Sequence, residues 1–144
     1  MDKKCIMGKI NMISETFDKF MIKKIKAEGL PILQNHITLF HILPEDGSKL
    51  LFNEVVSMWK ISKSSLSDII NKYENQGLIN KCECHEDRRS IHISLTEDAM
   101  PIKTRILELE EEFRNVLLED FTQEEKVVFE DNINSALNNI KKML

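Results

Sequence analysis

The spacing of apolar residues changes at Gly77, and this change constrains the fold more than any other feature of the 144-residue chain. Before Gly77, residues 51–59 and 62–76 carry apolar side chains at helical spacing. After it, a short run has apolar residues at alternate positions: Ile91, Ile93 and Leu95. A polar cluster separates this run from residues 78–84, as in a strand–turn–strand unit. The pattern predicts two short helices joined by a tight turn and followed by a β-hairpin.

Long helices are predicted on both sides of this middle segment. The first runs from about residue 5 to 27 and ends at Gly29 and Pro31, and a second helical segment follows over residues 32–43. One face of the first helix is apolar: Ile6, Ile10, Ile13, Phe17 and Phe20.

The C-terminal third predicts two more helices. Thr96 is expected to cap the first of them. Its buried side is expected to hold Ile102, Ile106, Leu109, Phe113 and Leu117. Thr122 and Glu125 have the spacing of a capping box, which starts the last helix. That helix carries its own apolar stripe: Phe129, Ile133, Leu137, Ile140 and Leu144.

The two terminal helical regions have too little chain of their own to bury these stripes, which favours a partner chain. We therefore expect one domain, residues 1–144, in which residues 1–30 and 98–144 form dimerisation helices around a winged helix-turn-helix region, residues 32–96. The fold class is mainly α with a small β-hairpin wing. The alternative is a monomer whose terminal helices fold onto the middle segment.

Charge is distributed unevenly along the chain. The formal net charge is −4, but residues 97–144 account for most of the acidic excess and residues 62–96 are neutral. Any contact with a polyanion is therefore expected from residues 62–96 and from the Lys-rich N-terminus. No apolar stretch is as long as a bilayer span, and three cysteines do not form a disulfide framework, so a cytoplasmic protein without membrane contact is expected.

The second helix of the predicted pair has the polar surface that a DNA-reading helix needs. In a helix-turn-helix this element enters the major groove, where short polar side chains reach the base edges. The candidates are Ser62, Lys63, Ser64, Ser65, Ser67, Asp68, Asn71 and Lys72. The opposite side carries apolar residues for packing: Leu66, Ile69, Ile70 and Tyr73. An ordinary amphipathic surface helix has the same polar face and remains the alternative.

The predicted hairpin has an arginine-bearing tip. Arg88 and Arg89 are adjacent there and can enter a minor groove or bind phosphate, while Asp87 can orient one of them. A charged tip by itself is more often a solvated loop. The order of helix, turn, polar-faced helix, strand, arginine tip and strand is the more specific feature.

At this point the chain resembles the MarR family (multiple antibiotic resistance regulators) of winged-helix dimers over essentially its whole length. The resemblance is densest in residues 55–66, in residues 73–79, and in Asp87-Arg88-Arg89 followed by Leu95-Thr96. It implies that Arg89 is the wing arginine, that residues 62–72 contact the major groove of double-stranded DNA, and that a homodimer binds a palindromic operator. It also implies an effector that alters DNA affinity.

The chain departs from the family pattern at Lys60, Val56 and Asp68, and after the wing at Ala99 and Pro101. Lys60 occupies the turn position where the family often has glycine, and Asp68 replaces a residue that is often basic or polar. The carboxylate of Asp68 cannot pair with phosphate but can accept from a cytosine amino group. Because of Asp68 and the neutral middle segment, the second hypothesis is a winged-helix protein–protein module without DNA binding.

Cysteine and histidine side chains can bind a metal or respond to an oxidant. Cys82, Cys84 and His85 do not have a zinc-ligand spacing. If Cys84 lies opposite Ile91, the two thiols share the buried face of Ile91, Ile93 and Leu95 as small hydrophobic residues. Neither a metal nor a cofactor is therefore expected.

Cys5 lies beside lysines at the start of the first helix and is a possible redox residue, although an inert terminal thiol is the simpler interpretation. The resemblance also leaves a small aromatic or apolar effector open. No phosphate loop, nucleophile elbow or paired-histidine motif indicates an enzyme.

Overall fold

The computed structural model describes residues 5–83 and 90–144, and the chain divides into two compact units, residues 1–110 and 111–144. Within the described residues there are six α-helices: α1 (Ile6–Glu28), α2 (Ile37–Ile42), α3 (Phe52–Trp59), α4 (Lys63–Asn75), α5 (Met100–Leu117) and α6 (Gln123–Ile140). The same residues form three strands: β1 (Leu50–Leu51), β2 (Ile79–Glu83) and β3 (Ile91–Leu95). None of these helices combines the length and the apolar character needed to cross a bilayer.

The three strands form one antiparallel sheet in the order β1-β3-β2. The predicted pairing of β2 with β3 is confirmed, with Ile79 opposite Leu95 and Cys82 opposite His92. Strand β1 was not predicted, because two residues are too few to show an alternating pattern. It places Leu50 opposite Ile93 and so ties the start of α3 to the hairpin.

The apolar core of residues 1–110 is formed by one side of α4 together with α2, β3 and the C-terminal half of α1. Tyr73, Leu66, Phe40 and Met21 have no exposed surface. Burial of each such side chain contributes about 1.5–3 kcal/mol to folding. The fixed position of α4 therefore follows from the packing of its apolar side.

The turn between α3 and α4 contains a residue in a left-handed conformation. Lys60 has φ 58° and ψ 43°, and its N–H donates to the carbonyl oxygen of Val56 at 2.8 Å. Glycine adopts this conformation without strain, which explains why glycine suits this position. Gly77, with φ 75°, ends α4 in the same region, and the N–H of Leu78 closes the helix on the oxygen of Tyr73 at 2.9 Å.

Two details differ from the sequence predictions. Thr96 makes no capping bond through its side chain; its hydroxyl donates instead to the carbonyl oxygen of Gly77 at 2.7 Å and joins β3 to the end of α4. Cys82 is exposed and pairs with His92, so it does not share the buried face of Ile93. The predicted register was shifted by one residue, which exchanges the two faces of a strand.

Helix α5 is tied to the N-terminal helices of its own unit by three polar contacts. The Nζ of Lys103 donates to the carbonyl oxygen of Leu43 at 2.6 Å. His41 Nε2 lies 2.6 Å from an oxygen of Glu110. Arg105 forms a two-point ion pair with Glu28, at 2.6 and 2.9 Å. Burial lowers the pKa of the Lys103 ammonium, and the charge of Glu45 partly offsets this effect.

In residues 111–144, α6 begins with the predicted capping box. The hydroxyl of Thr122 accepts from the N–H of Glu125 at 3.1 Å, and the carboxylate of Glu125 accepts from the N–H of Thr122 at 2.9 Å. Arg114 reaches α6 through Glu130, whose carboxylate accepts from its Nε at 2.7 Å. Every residue of α6 is described, and none of them is buried.

Candidate nucleic-acid interface

Helix α4 has one buried side and one polar exposed side, as the sequence predicted. Leu66, Ile70 and Tyr73 are buried, and Ile69 is half-buried. The exposed side presents short polar groups along successive turns: Ser64, Ser67, Asp68 and Asn71. Side chains of this length let a helix backbone approach a base edge closely.

The buried side of α4 is fixed by a polar contact as well as by packing. The hydroxyl oxygen of Tyr73 accepts from the N–H of Leu33 at 3.2 Å and lies 2.7 Å from Nδ1 of His36. The Tyr73 hydroxyl has one proton and a second lone pair, so in this contact it can donate to Nδ1 or accept from it, according to the tautomer of His36. Burial lowers the pKa of His36, and Lys72 lowers it further, so the neutral imidazole is favoured.

The same tyrosine is held by aromatic neighbours. The rings of Phe40 and His36 meet the Tyr73 ring edge to face, with centroids 5.4 and 5.5 Å away. Burial raises the pKa of the Tyr73 hydroxyl, which therefore stays protonated as a donor. Sequence analysis did not identify this cluster, because its members lie on separate segments and no local pattern joins them.

The first turn of α4 is organised by its serines. The hydroxyl oxygen of Ser62 accepts from the N–H of Ser65 at 3.1 Å and donates to the Ser65 hydroxyl at 2.8 Å. Ser62 is therefore the N-cap of the helix, and its hydroxyl is committed to that role. Ser64 lies on the exposed side, with its hydroxyl 3.3 Å from that of Ser62.

A cleft of about 370 Å³ lies between α4 and the base of the hairpin. Its lining combines the polar side of α4 with residues of β2, β3 and α3: Phe52, Lys63, Ser64, Ser67, Ile70, Asn71, Lys81 and Ile91. On one wall, the Nζ of Lys81 donates to Oδ1 of Asn71 at 3.2 Å and lies 4.0 Å from Glu74. Four of the predicted site residues thus share this cleft: Lys63, Ser64, Ser67 and Asn71.

Sequence analysis missed Lys81. A signal was present, since Lys81 has the same parity along β2 as the buried Ile79 and must project toward the same side of the sheet. Its charge then indicates that this position lies beyond the edge of the apolar core.

The charged candidates of α4 lie on different flanks. Lys63 is at the N-terminal end beside the cleft, whereas Lys72 is half-buried with its Nζ 5.6 Å from the Tyr73 ring centroid. Asp68 is exposed between these flanks. Cationic groups at two edges with a carboxylate between them suit a ligand whose phosphates run along both sides of the helix.

Several predicted residues cannot be placed. Asp87, Arg88 and Arg89, together with Cys84 and His85, lie outside the described residues. Cys5 is described and exposed, at the N-cap position of α1. Among residues 5–83 and 90–144, no three His, Cys, Asp or Glu side chains come together as a metal site.

Comparison with known proteins gives a consistent match. Residues 28–90 match the family model described as the MarR family. The transcriptional regulator PecS of Dickeya dadantii (strain 3937) is 24% identical over 114 residues, which cover 79% of this chain and 64% of that protein. The chain therefore spans less than two thirds of the length of this relative.

Solved structures match the fold over nearly the whole chain. A MarR transcriptional regulator from Methanosarcina mazei Go1 aligns with a TM-score of 0.81 at 19% identity, covering 100% of this chain and 94% of that one. A putative MarR family regulator from Listeria monocytogenes, solved in complex with a 26mer DNA, aligns with a TM-score of 0.76 at 24% identity and covers 95% and 89% of the two chains. These likenesses establish the predicted winged-helix fold.

Proposed function

We propose that the chain is a MarR-family transcriptional regulator that binds double-stranded DNA sequence-specifically through α4 and the hairpin tip, since residues 28–90 match the model of that family. The observation that carries this proposal is the division of α4 into two sides. Its apolar side is buried from Leu66 to Tyr73, while Ser64, Ser67 and Asn71 are exposed on the opposite side. A base edge requires such a fixed set of short polar groups.

Affinity is proposed to rest on a few cations. Lys63 and the wing residues Arg88 and Arg89 supply these charges, and Asp87 orients an arginine. Because residues 62–96 are neutral overall, each phosphate contact carries a large share of the binding free energy.

Selection of bound duplexes from a random pool tests DNA binding directly. We expect an inverted repeat whose half-sites lie about one helical turn apart, and binding that weakens steeply with salt. Arg89→Ala and Asn71→Ala are each expected to weaken binding at least about fivefold. Lys142→Ala, which removes an exposed charge from the acidic C-terminal segment, is the matched control and should have little effect. A chain that retains no duplex at low salt refutes the proposal.

Asp68 supports the second candidate, a protein-binding winged helix. An exposed carboxylate in the middle of the polar side repels phosphate. The variant Asp68→Asn distinguishes the two candidate functions. If the chain binds DNA, the variant should bind a duplex more tightly; if it is a protein-binding module, the variant should still bind no duplex.

We propose that the DNA-binding form is a homodimer. Apolar side chains on the outer side of α1 are largely exposed, with Ile6 at 73% and Ile10 at 52%. In α6, Leu137 is 53% and Ile140 is 49% exposed. Exposed stripes at helical spacing favour helix–helix association, and two-fold pairing would match a palindromic operator.

Effector control is the remaining part of the proposal. A groove of about 590 Å³ at the C-terminal end of α1, lined by Ile22, Ile25 and Leu30 among others, has the apolar character for a small aromatic or apolar effector. Redox control through Cys5 is the alternative. Loss of duplex binding on peroxide treatment that is prevented by Cys5→Ser, and not by Cys82→Ser, would assign the sensor to Cys5, since both thiols are free and exposed.

A further inference from the structure

The contact between Lys81 and Asn71 joins the hairpin to the exposed side of α4. The donor and acceptor are ten positions apart in sequence and 3.2 Å apart in space. The side chain of Lys81 is 34% exposed and that of Glu74, 4.0 Å away, is 38% exposed, so the ammonium is restrained from two sides.

This contact fixes the orientation of the Asn71 amide. An ammonium group has only donors, so it must face Oδ1 and not the amide NH₂ group. Since oxygen and nitrogen lie on opposite sides of the planar carboxamide, Nδ2 is turned away from Lys81. The group that Asn71 then presents along the cleft is a pair of N–H donors.

We propose that Lys81 is a specificity-determining positioning residue, which holds Asn71 as a donor and so selects an acceptor-only base edge. Asparagine reads adenine through both its oxygen and its nitrogen, whereas guanine presents N7 and O6 as acceptors and thymine presents O4. An asparagine whose Oδ1 is turned toward Lys81 and whose NH₂ group faces the base favours guanine or thymine, which present acceptors, over adenine, which is read through both groups. This inference rests on the proposed function, because it assumes that α4 faces DNA.

The first test needs no DNA. The side-chain NH₂ signals of Asn71 are recorded by NMR in the full chain and in two variants, Lys81→Met and Lys81→Arg. Lys81→Met keeps a long side chain without a donor and should shift these signals, while Lys81→Arg retains donors and should leave them near their original positions. If Lys81→Met leaves them unchanged, Lys81 does not position Asn71 and the inference is overturned.

The second test measures base preference by duplex selection. At the base contacted by Asn71, Lys81→Met is expected to reduce the preference against adenine at least about fivefold, which is the lower end of what a specific base contact contributes. Asn71→Ala should lose the same preference, and adding Lys81→Met to it should cause no further change. Lys81→Arg retains the donors and should therefore keep the base preference of the unmodified chain. Lys142→Met is the matched control for loss of a surface charge.

A simple phosphate contact predicts another result. In that case Lys81→Met weakens binding to every sequence equally, lowers the salt dependence by about one phosphate equivalent and leaves the base preference intact, which overturns the inference. If the unmodified chain selects no duplex, the proposed function fails and the base-selecting role of Lys81 fails with it. The NMR comparison still decides separately whether Lys81 orients Asn71.

Discussion

Helices α4 and α6 begin in the same way and are stabilised differently along their length. Each is preceded by a left-handed residue, Lys60 with φ 58° or Asp120 with φ 67°, then by one apolar residue, and then by a hydroxyl N-cap. The two cap bonds have the same length, 3.1 Å from Ser62 to the N–H of Ser65 and from Thr122 to the N–H of Glu125.

The apolar sides of the two helices differ in burial. In α4, Leu66 and Tyr73 have no exposed surface. In α6, Ile133 and Leu137 are 44% and 53% exposed. A helix start is thus encoded within a few residues, whereas the stabilisation of the remaining turns depends on what the apolar side contacts. For α4 this contact is the core, and for α6 we propose a second copy of the chain.

The largest change in the free energy of unfolding is expected when a buried residue of α4 is truncated. Leu66→Ala should lower the free energy of unfolding by about 2–5 kcal/mol, because it removes core contacts and leaves a cavity. Ser67→Ala, on the exposed side of the same helix, should change it by no more than about 0.5 kcal/mol. Urea unfolding followed by circular dichroism measures both. Equal effects of the two variants would show that α4 is not anchored through its apolar side.

The stripe of α6 is expected to act on self-association. Replacement of both Ile133 and Leu137 by glutamate should weaken dimer formation at least about tenfold, which corresponds to about 1.4 kcal/mol. Ser135→Glu adds a charge on the opposite side of the same helix and is the matched control. Sedimentation velocity reports the oligomeric state, and far-ultraviolet circular dichroism verifies that the helix persists. An unmodified chain that remains monomeric at tens of micromolar contradicts the dimer.

These two helices also show what the sequence could predict. Both were located correctly because caps and helical spacing are local signals: Ser62 and Thr122 precede apolar residues at intervals of three and four. The burial of Leu66 and the exposure of Leu137 could not be distinguished, since the two stripes look alike. Burial depends on elements distant in the chain, and spacing carries no information about them.

The candidate site was predicted only in part, for the same reason. The polar side of α4 followed from its period, but the contacts that fix it did not. His36 reaches Tyr73 across 37 positions, and Lys81 reaches Asn71 across ten. Cys82 was assigned to the wrong face because a strand pairing shifted by one residue looks equally plausible in the sequence.

The N-caps of α4 and α6 can be compared directly, and their loss should change the free energy of unfolding by less than the loss of a core residue. Ser62→Ala and Thr122→Ala should each lower the free energy of unfolding by about 1 kcal/mol, because each removes the hydroxyl that accepts the cap bond. The bond from the backbone N–H of Thr122 to the Glu125 carboxylate does not depend on the Thr122 side chain. Only Ser62→Ala should weaken duplex binding, since it loosens the first turn of α4. Ser62→Thr retains the hydroxyl and should restore both properties. Equal losses of duplex binding in the two alanine variants would show that the cap of α4 has no special relation to DNA.

A fall in pH should have the smallest effect on stability, and it should destabilise α4 at a higher pH than α6. The pKa of His36 is lowered by burial and by Lys72, so the folded chain binds fewer protons than the unfolded chain just below pH 6.5. Stability on the α4 side is therefore complete above that pH and decreases as the pH falls toward the lowered pKa. The pKa of Glu125 is lowered by its bonds to Thr122, so the cap of α6 weakens only below the ordinary carboxyl value of 4.5.

Thermal unfolding at pH 7.5, 5.5 and 4.0 tests this order. Between pH 7.5 and 5.5 the unfolding temperature should fall, and His36→Gln should reduce this dependence because glutamine does not titrate. His41→Gln is the matched control, since His41 contacts Glu110 and lies outside the Tyr73 cluster. Below pH 4.5, Glu125→Gln should flatten the remaining decrease, because glutamine does not titrate. If His36→Gln leaves the dependence between pH 7.5 and 5.5 unchanged, the neutral imidazole does not support α4, and the difference between the two helices reduces to the burial of Leu66 and its apolar neighbours.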